Sequence, residues 1–440
     1  MPLKPTPDQA ADKAAGPQAD ARVVRAWCMY DWANSAYILT VATAVLPAWF
    51  AAGIVGPEGY DVFGTNVSAT TLWGLTVGLS ALAVFMFAPV LGAAADLTGR
   101  AGSFLRLFCL LGAASAFALG FQGPGDVVAA MLLFALAQAS FNSANVFYDA
   151  FLPRIVPDSQ TDTVSGRGYA YGYIGGGLHF LLCLVLMAMH ERLGLTQGQA
   201  AQISIATAAL WWAGFSVPTF LALRDAPTGN GKGIGHIVRH GVDEAVATAR
   251  TLLHGGPASV FLLAYLLYND GIQTTISMAT IYGAEELGLA TTELMITLLV
   301  IQAVAFAGSL LFARLAGRIG TKAAIMVALA VWTGVAGCAY VIETAVQFFV
   351  LGGFVGLVLG GSQALSRSLY AKLVPREASA RYFGYFSVVT KFSAVGGPLI
   401  FALMRHWTGS SRPAVLVIAV FFLLGMVVLS RVRVPPERDA

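Results

Sequence analysis

Long apolar runs separated by short polar connections occupy nearly the whole chain. They fall at approximately 26–52, 68–91, 103–121, 127–151, 168–190, 200–223, 258–282, 292–313, 323–342, 345–371, 380–404 and 412–430. Crossing a lipid core takes about 20 mostly apolar residues, so the pattern predicts twelve membrane-spanning helices. Barrel strands would instead alternate polar and apolar residues. Residues 1–25 are Pro/Ala/Asp/Lys-rich and lack the apolar core of a signal peptide. They are expected to form a disordered tail.

Composition sharpens this reading. Apolar residues make up 57% of the 440 and charged residues 11%, against roughly 25% charged in soluble domains. A soluble enzyme, a disordered chain and a secreted disulfide scaffold are excluded. The four cysteines lie in or beside apolar runs without metal-ligand or CxxC spacing, so they read as small apolar side chains. The net charge of +3 matters less than its placement. Twenty-one of the 26 Lys/Arg residues lie in the two tails and in every second connection, and only Arg192, Arg405 and Arg412 lie on the opposite side. The positive-inside rule then places both termini in the cytoplasm. The expected division is a tail at 1–25, six helices over 26–223, a linker over 224–257, six helices over 258–432 and a tail at 433–440. Within the linker, apolar residues from Ile234 to Leu253 recur at helical spacing, as in an amphipathic helix lying on the membrane face.

The halves carry matching marks. Tyr148 precedes Pro153 by five residues, and 222 residues later Tyr370 precedes Pro375 likewise. Gly172-Tyr173 and Gly384-Tyr385 follow in the same order, which sets His179 opposite Lys391. The loop Gly92-x-x-x-Asp96-x-x-Gly99-Arg100 after the second run has a looser counterpart, Gly317-Arg318-Ile-Gly320, after the eighth. Two parallel six-helix repeats are the plan of major facilitator transporters.

The Gly92–Arg100 string resembles the loop signature of the major facilitator superfamily. Tyr30-Asp31-Trp32-Ala33-Asn34-Ser35-Ala36-Tyr37, Tyr268-Asn269-Asp270-Gly271 and Ser366-Arg367-Ser368-Leu369-Tyr370 resemble the UMF1 family, bacterial relatives of the Atg22-type vacuolar effluxers. The resemblance implies an all-α membrane protein of twelve helices in two pseudo-symmetric bundles, working as a secondary transporter. It also implies that the first, fourth, seventh and tenth helices line a central cavity. Asp96 and Arg100 would form ion pairs that hold an inner gate shut, with Gly92, Gly99, Gly317, Arg318 and Asp149 as its other members. The chain departs from the pattern where Arg314 replaces an acid in the second loop. It also lacks a glycine-proline motif in the fifth run; Gly396-Gly397-Pro398 lies in the eleventh instead.

An ionisable group in the hydrocarbon is expensive, and is by default a functional candidate. Asn34, Tyr37, Asn142, Asn145, Tyr148, Gln273, Gln363, Arg367 and Lys391 are the expected substrate ligands, with Arg367 or Lys391 neutralising a carboxylate or phosphate. Asp270 or Asp31 would bind an ammonium group or carry a coupling proton. Competing structural roles pair Asp270 with Lys391, let Arg367 snorkel to the headgroups, and make Asp31 and His179 helix-contact residues. There is no GxxxxGK[ST] and no HExxH, so no ATP motor, metal or cofactor is expected, nor a nucleic-acid partner. The leading expectation is a monomeric, proton-coupled transporter of a small polar or zwitterionic solute such as an amino acid or short peptide. A carrier of a larger anionic amphiphile and a non-transporting receptor are the alternatives, and an enzyme is not expected.

Overall fold

The computed structural model describes residues 19–226, 234–410 and 412–436. Eleven of its helices are long and apolar enough to cross a membrane: α1 (Ala21–Val55), α2 (Ala69–Thr98), α3 (Ala101–Leu119), α4 (Val127–Ile155), α5 (Asp158–Ala188), α6 (Gln197–Ala222), α9 (Glu293–Ile319), α10 (Thr321–Ala339), α11 (Ala345–Leu373), α12 (Arg376–Thr408) and α13 (Arg412–Ser430). The twelfth, α8 (Pro257–Glu286), meets the linker helix α7 (Ile234–Leu253) at a bend of 81°. A two-stranded hairpin, β1 (Tyr60–Val62) and β2 (Thr65–Val67), joins α1 to α2.

Several boundaries differ from the apolar runs, each for a physical reason. Helix α1 starts at Ala21 because Asp20 caps it, accepting from the Arg22 amide at 2.8 Å; residues 1–18 lie outside the described part. Helix α5 begins ten residues before its apolar run. Its polar first turns face other helices, with Asp158, Thr161, Asp162 and Ser165 all buried. Helix α1 also winds as π-helix over Tyr37–Val45 and Phe50–Val55, around Pro47. Such segments cluster at functional sites. Helix α12 is interrupted, with α-helix over Ser379–Phe392 and again over Gly396–Thr408.

Both ends of the described chain lie on one face of the bundle. Lys322 Nζ donates to the carbonyls of Ser430 and Val432 at 2.6 and 2.8 Å, and Lys372 Nζ donates to Thr321 Oγ1 at 2.9 Å. On that same face Lys372 meets α5 and Arg367 meets α1. This is called the termini face below.

The two halves show the duplication in three dimensions. Trp27 of α1 stacks on Tyr148 of α4, with centroids 4.5 Å apart. Phe261 of α8 stacks on Tyr370 of α11 at 5.7 Å. The halves meet where α5 lies against α9 and α11, and where α2 lies against α12. Small residues permit these approaches. A Cβ on Gly166 of α5 would fall 2.6 Å from the Cβ of Ala313 of α9. Within each half the same device packs α1 on α5, at Gly172 against Ser35, and α9 on α11, at Gly356 against Ile301.

The linker helix crosses this seam. Gly241 packs on Val90 and Ala94 of α2, while Tyr385 of α12 donates to the Ala245 carbonyl at 2.8 Å and Arg381 pairs with Glu244. Its expected apolar stripe is divided. Ala245 is buried against the bundle, whereas Val242, Val246 and Leu253 face outward; the side chains of Ile234, Ile237 and Val238 lie outside the described part.

Candidate functional site: a charged seal beneath a polar layer

The seal centres on Arg367 of α11, whose side chain is 3% exposed. A buried guanidinium is costly unless its donors are met and its charge opposed. Here both conditions hold, and every partner comes from the other half. Nη2 donates to Asp31 Oδ2 at 3.1 Å, and Nη1 to Asp149 Oδ1 at 3.1 Å. Nε donates to Ser165 Oγ at 3.0 Å, and Nη2 also to the Ser165 carbonyl at 3.0 Å. The guanidinium carbon lies 4.7 Å from the Trp27 ring centroid and 4.3 Å from that of Tyr169, within cation–π range. Tyr148 donates to Asp31 Oδ2 at 2.8 Å, and Trp27 Nε1 donates to the Tyr148 carbonyl at 3.0 Å. The acid, the base and the aromatic walls thus fix one another. Gly168 makes room: a Cβ there would come within 2.8 Å of Arg367 Nη2.

A second buried pair lies closer to the termini face. Lys372 Nζ meets Asp162 Oδ2 at 2.8 Å, and Asp162 also accepts from Ser368 and Thr321. Further out, Arg376 pairs with Asp158 at 3.5 Å, and Ser379 Oγ donates to the Ala150 carbonyl at 2.9 Å. The acids of these contacts come from the first half and the cations from the second.

Asp96 joins the seal, although not with the expected partner. It pairs with Arg154 and accepts from the backbone amides of Ala380 and Arg381 at 3.2 and 2.9 Å. Arg100 is exposed past the left-handed cap formed by Gly99, and makes no side-chain contact of this kind among the described residues. Gly92 packs on the Ala380–Arg381 backbone. Gly317 and Arg318, expected to mirror this loop, are exposed and stand apart from the seal. Arg314 stands roughly where the first loop has Asp96, so their loop carries no matching acid to accept from a facing helix start.

Beyond the seal, roughly 5–9 Å further along α1 at 1.5 Å per residue, a polar layer follows. Asn34 donates to Asn145 Oδ1 at 3.1 Å and Tyr37 to Gln138 Oε1 at 3.1 Å. Asn142 turns its amide to the Gln138 carbonyl of its own helix at 2.7 Å. Tyr173 of α5 reaches Gln363 Oε1 of α11 at 2.8 Å, another contact between the halves. His179 bonds Thr40 Oγ1 at 3.0 Å, the helix-contact role weighed for it.

Asp270 lies about 20 Å into α8 and is 5% exposed. Its Oδ2 lies beside Gly396, 3.0 Å from where a Cβ there would stand, at the start of the outer segment of α12. A carboxylate is favoured at a helix N-terminus. Among the described residues its Oδ1 is buried without a hydrogen-bond partner. The neighbouring Asn269 donates to Ser393 Oγ at 2.6 Å, inside the interruption of α12. Lys391 forms no ion pair among the described residues, so the expected Asp270–Lys391 bridge is not made. Gln273 also has no side-chain partner among them.

Two expectations therefore change, and one group of residues is new. Arg367 neither snorkels nor offers its charge to a solute in this state, because Asp31 and Asp149 hold it. Asp31 and Tyr148, expected to carry a proton and to bind solute, are engaged with Arg367 and with each other in this structure. The pair Asp162–Lys372, with Ser165, Trp27 and Tyr169, was not anticipated. Asp162 and Lys372 lie in polar connections that hydropathy reads as loop, and only the opposed signs on two adjoining span ends could have flagged them.

Among the described residues no group of three or more His, Cys, Asp or Glu could hold a metal ion. The family model described as "Vacuole effluxer Atg22 like" matches residues 19–439. An MFS-type transporter of Bacillus subtilis, YxiO, is 34% identical over 421 residues, covering 94% of this chain and 95% of its own length. Autophagy-related protein 22 of Kluyveromyces lactis is 24% identical over 359 residues, covering 73% of this chain and 70% of its own. Among solved structures, the proton:xylose symporter XylE superposes with a TM-score of 0.70 at 12% identity, covering 94% of this chain and 96% of its own. A bacterial homologue of the iron transporter ferroportin, in its outward-facing state, superposes at 0.65 and 13% identity, covering 93% and 98%. With this fold and these relatives, the chain belongs to the Atg22-like family of MFS-type transporters.

Proposed function

We propose that the protein is a proton-coupled secondary transporter of a small polar or zwitterionic solute in an inner membrane, with both termini in the cytoplasm. The observation that carries this reading is the Arg367 seal. It is made wholly between halves, on one face only, with a polar layer beyond it. In the proposed orientation the sealed face is cytoplasmic. Rocking of the halves breaks Arg367 from Asp31 and Asp149 and exposes the polar layer to the other side, which is alternating access. Asn34, Asn145, Gln273 and Gln363 supply neutral hydrogen-bonding groups. Asp270 and Lys391 supply one charge of each sign outside the seal, which suits a zwitterion.

The unpartnered Oδ1 of Asp270 is fitted to take up a proton. The neutral acid can donate a hydrogen bond, and the ionised one rests on the helix terminus at Gly396. In proteoliposomes, Asp270→Asn is expected to abolish solute accumulation driven by a pH gradient while leaving counterflow exchange. Accumulation at the wild-type rate would refute the coupling role. A panel of amino acids and short peptides giving no flux with the wild-type protein would refute the solute class.

A further inference from the structure

The second half contains a partly open cavity, apolar along most of its wall, that the seal and the polar layer do not use. It lies within the ring of α8 to α13, on the side away from the termini face. Met278, Leu298, Ala336, Phe348, Phe401 and Val415 are among its walls. Two of its three threonines spend their donors on their own helices: Thr275 donates to the Gly271 carbonyl at 2.8 Å and Thr297 to the Glu293 carbonyl at 2.8 Å. A cavity of this kind, with mostly apolar walls, receives hydrocarbon.

Its inner end adjoins the charged layer. Thr275 is five residues beyond Asp270 on α8, and Phe401 is five beyond Gly396 on α12, about 8 Å in each case. Towards that end Phe422 of α13 packs on Gly271, where a Cβ would fall 2.8 Å from the ring. A polar head at the level of Asp270 and Lys391 therefore has an apolar chamber alongside it, extending about 10 Å along α8 from Thr275 to Tyr282.

We infer that this cavity is the tail subsite of the transport site, and that the solute is a single-chain amphiphile whose zwitterionic head carries one unbranched apolar tail. The inference rests on the zwitterion reading above and adds the tail to it.

The test uses the full-length protein in nanodiscs and a series of N-alkyl-N,N-dimethylglycines with tails of two to ten carbons. Equilibrium binding is measured against empty nanodiscs, below micelle formation. Affinity should rise about fourfold for each methylene and then level off once the cavity is full. Ala336→Phe and Val415→Phe fill the cavity from two different helices, and each should flatten the series without changing affinity for the two-carbon member. Either variant suffices if the other does not fold, as judged by its melting transition. A flat wild-type series, or one equally steep in the folded variants, overturns the inference. So does native mass spectrometry showing a retained phospholipid that the fillers displace. Flux of the two-carbon member is scored separately. Its absence beside a steep series retires transport of that head group and leaves the cavity assignment standing.

Discussion

Arg367 shows why charge alone does not specify this seal. Lysine would keep the positive charge but lose the planar fork that reaches Asp31, Asp149 and Ser165 together, and the stacking between Trp27 and Tyr169. Removing a partner from a buried pair costs about 3–5 kcal/mol. Arg367→Lys is therefore expected to raise maleimide labelling of Ala364→Cys, which is fully buried in the sealed state, by at least about tenfold. Labelling at the parental rate would show that the fork is dispensable. Gly168→Val is expected to depress flux at normal expression, because its side chain would occupy the space of Asp31 and Arg367; wild-type flux would contradict that packing. Arg367 and Asp31 were legible in the sequence as charges inside apolar runs. Their mutual engagement was not, since 336 residues separate them and periodicity carries no information on distant pairing.

Helix α5 marks the limit of hydropathy as a guide to helices. Its first ten residues are mostly polar, and Asp158 and Asp162 among them face α10, α11 and α12 rather than lipid, so a profile that rewards lipid-facing carbon places the start too late. The interruption of α12 was equally hidden. Gly396-Gly397-Pro398 was visible as a motif, but its meaning depends on Asp270 of α8 standing against the new helix start. The Asp162–Lys372 pair, which ties α5 to α11, gives a direct measurement. Asp162→Asn and Lys372→Met should each destabilise the protein by about 3–5 kcal/mol. The double variant should lose clearly less than the sum, because the two changes share one interaction. Additive losses in denaturant melts would show that the two residues act independently.

The overall plan was far more readable than the site. Twelve apolar runs, alternating basic connections and the 222-residue recurrence of Tyr148-to-Pro153 at Tyr370-to-Pro375 each report on the whole chain. Membrane insertion imposes them on every helix. The seal depends on a few side chains, and the loop expected to repeat it, Gly317-Arg318, proved to be free of it. If rocking of two bodies about this seal is the working motion, tying Ala150→Cys to Ser379→Cys in a Cys338→Ser background should arrest flux under oxidation and restore it under reduction. Undiminished flux with the crosslink formed would rule the motion out.

Asp31, Asp149, Asp158 and Asp162 belong to one body, and Arg367, Lys372 and Arg376 to the other. Once the bodies separate, one wall of the new mouth is rich in carboxylate and the other in cation. Each then gathers counter-ions from the surrounding water, so dissolved salt takes part in the opening step as a reactant, and raising ionic strength on that side shifts the resting balance towards the unsealed form.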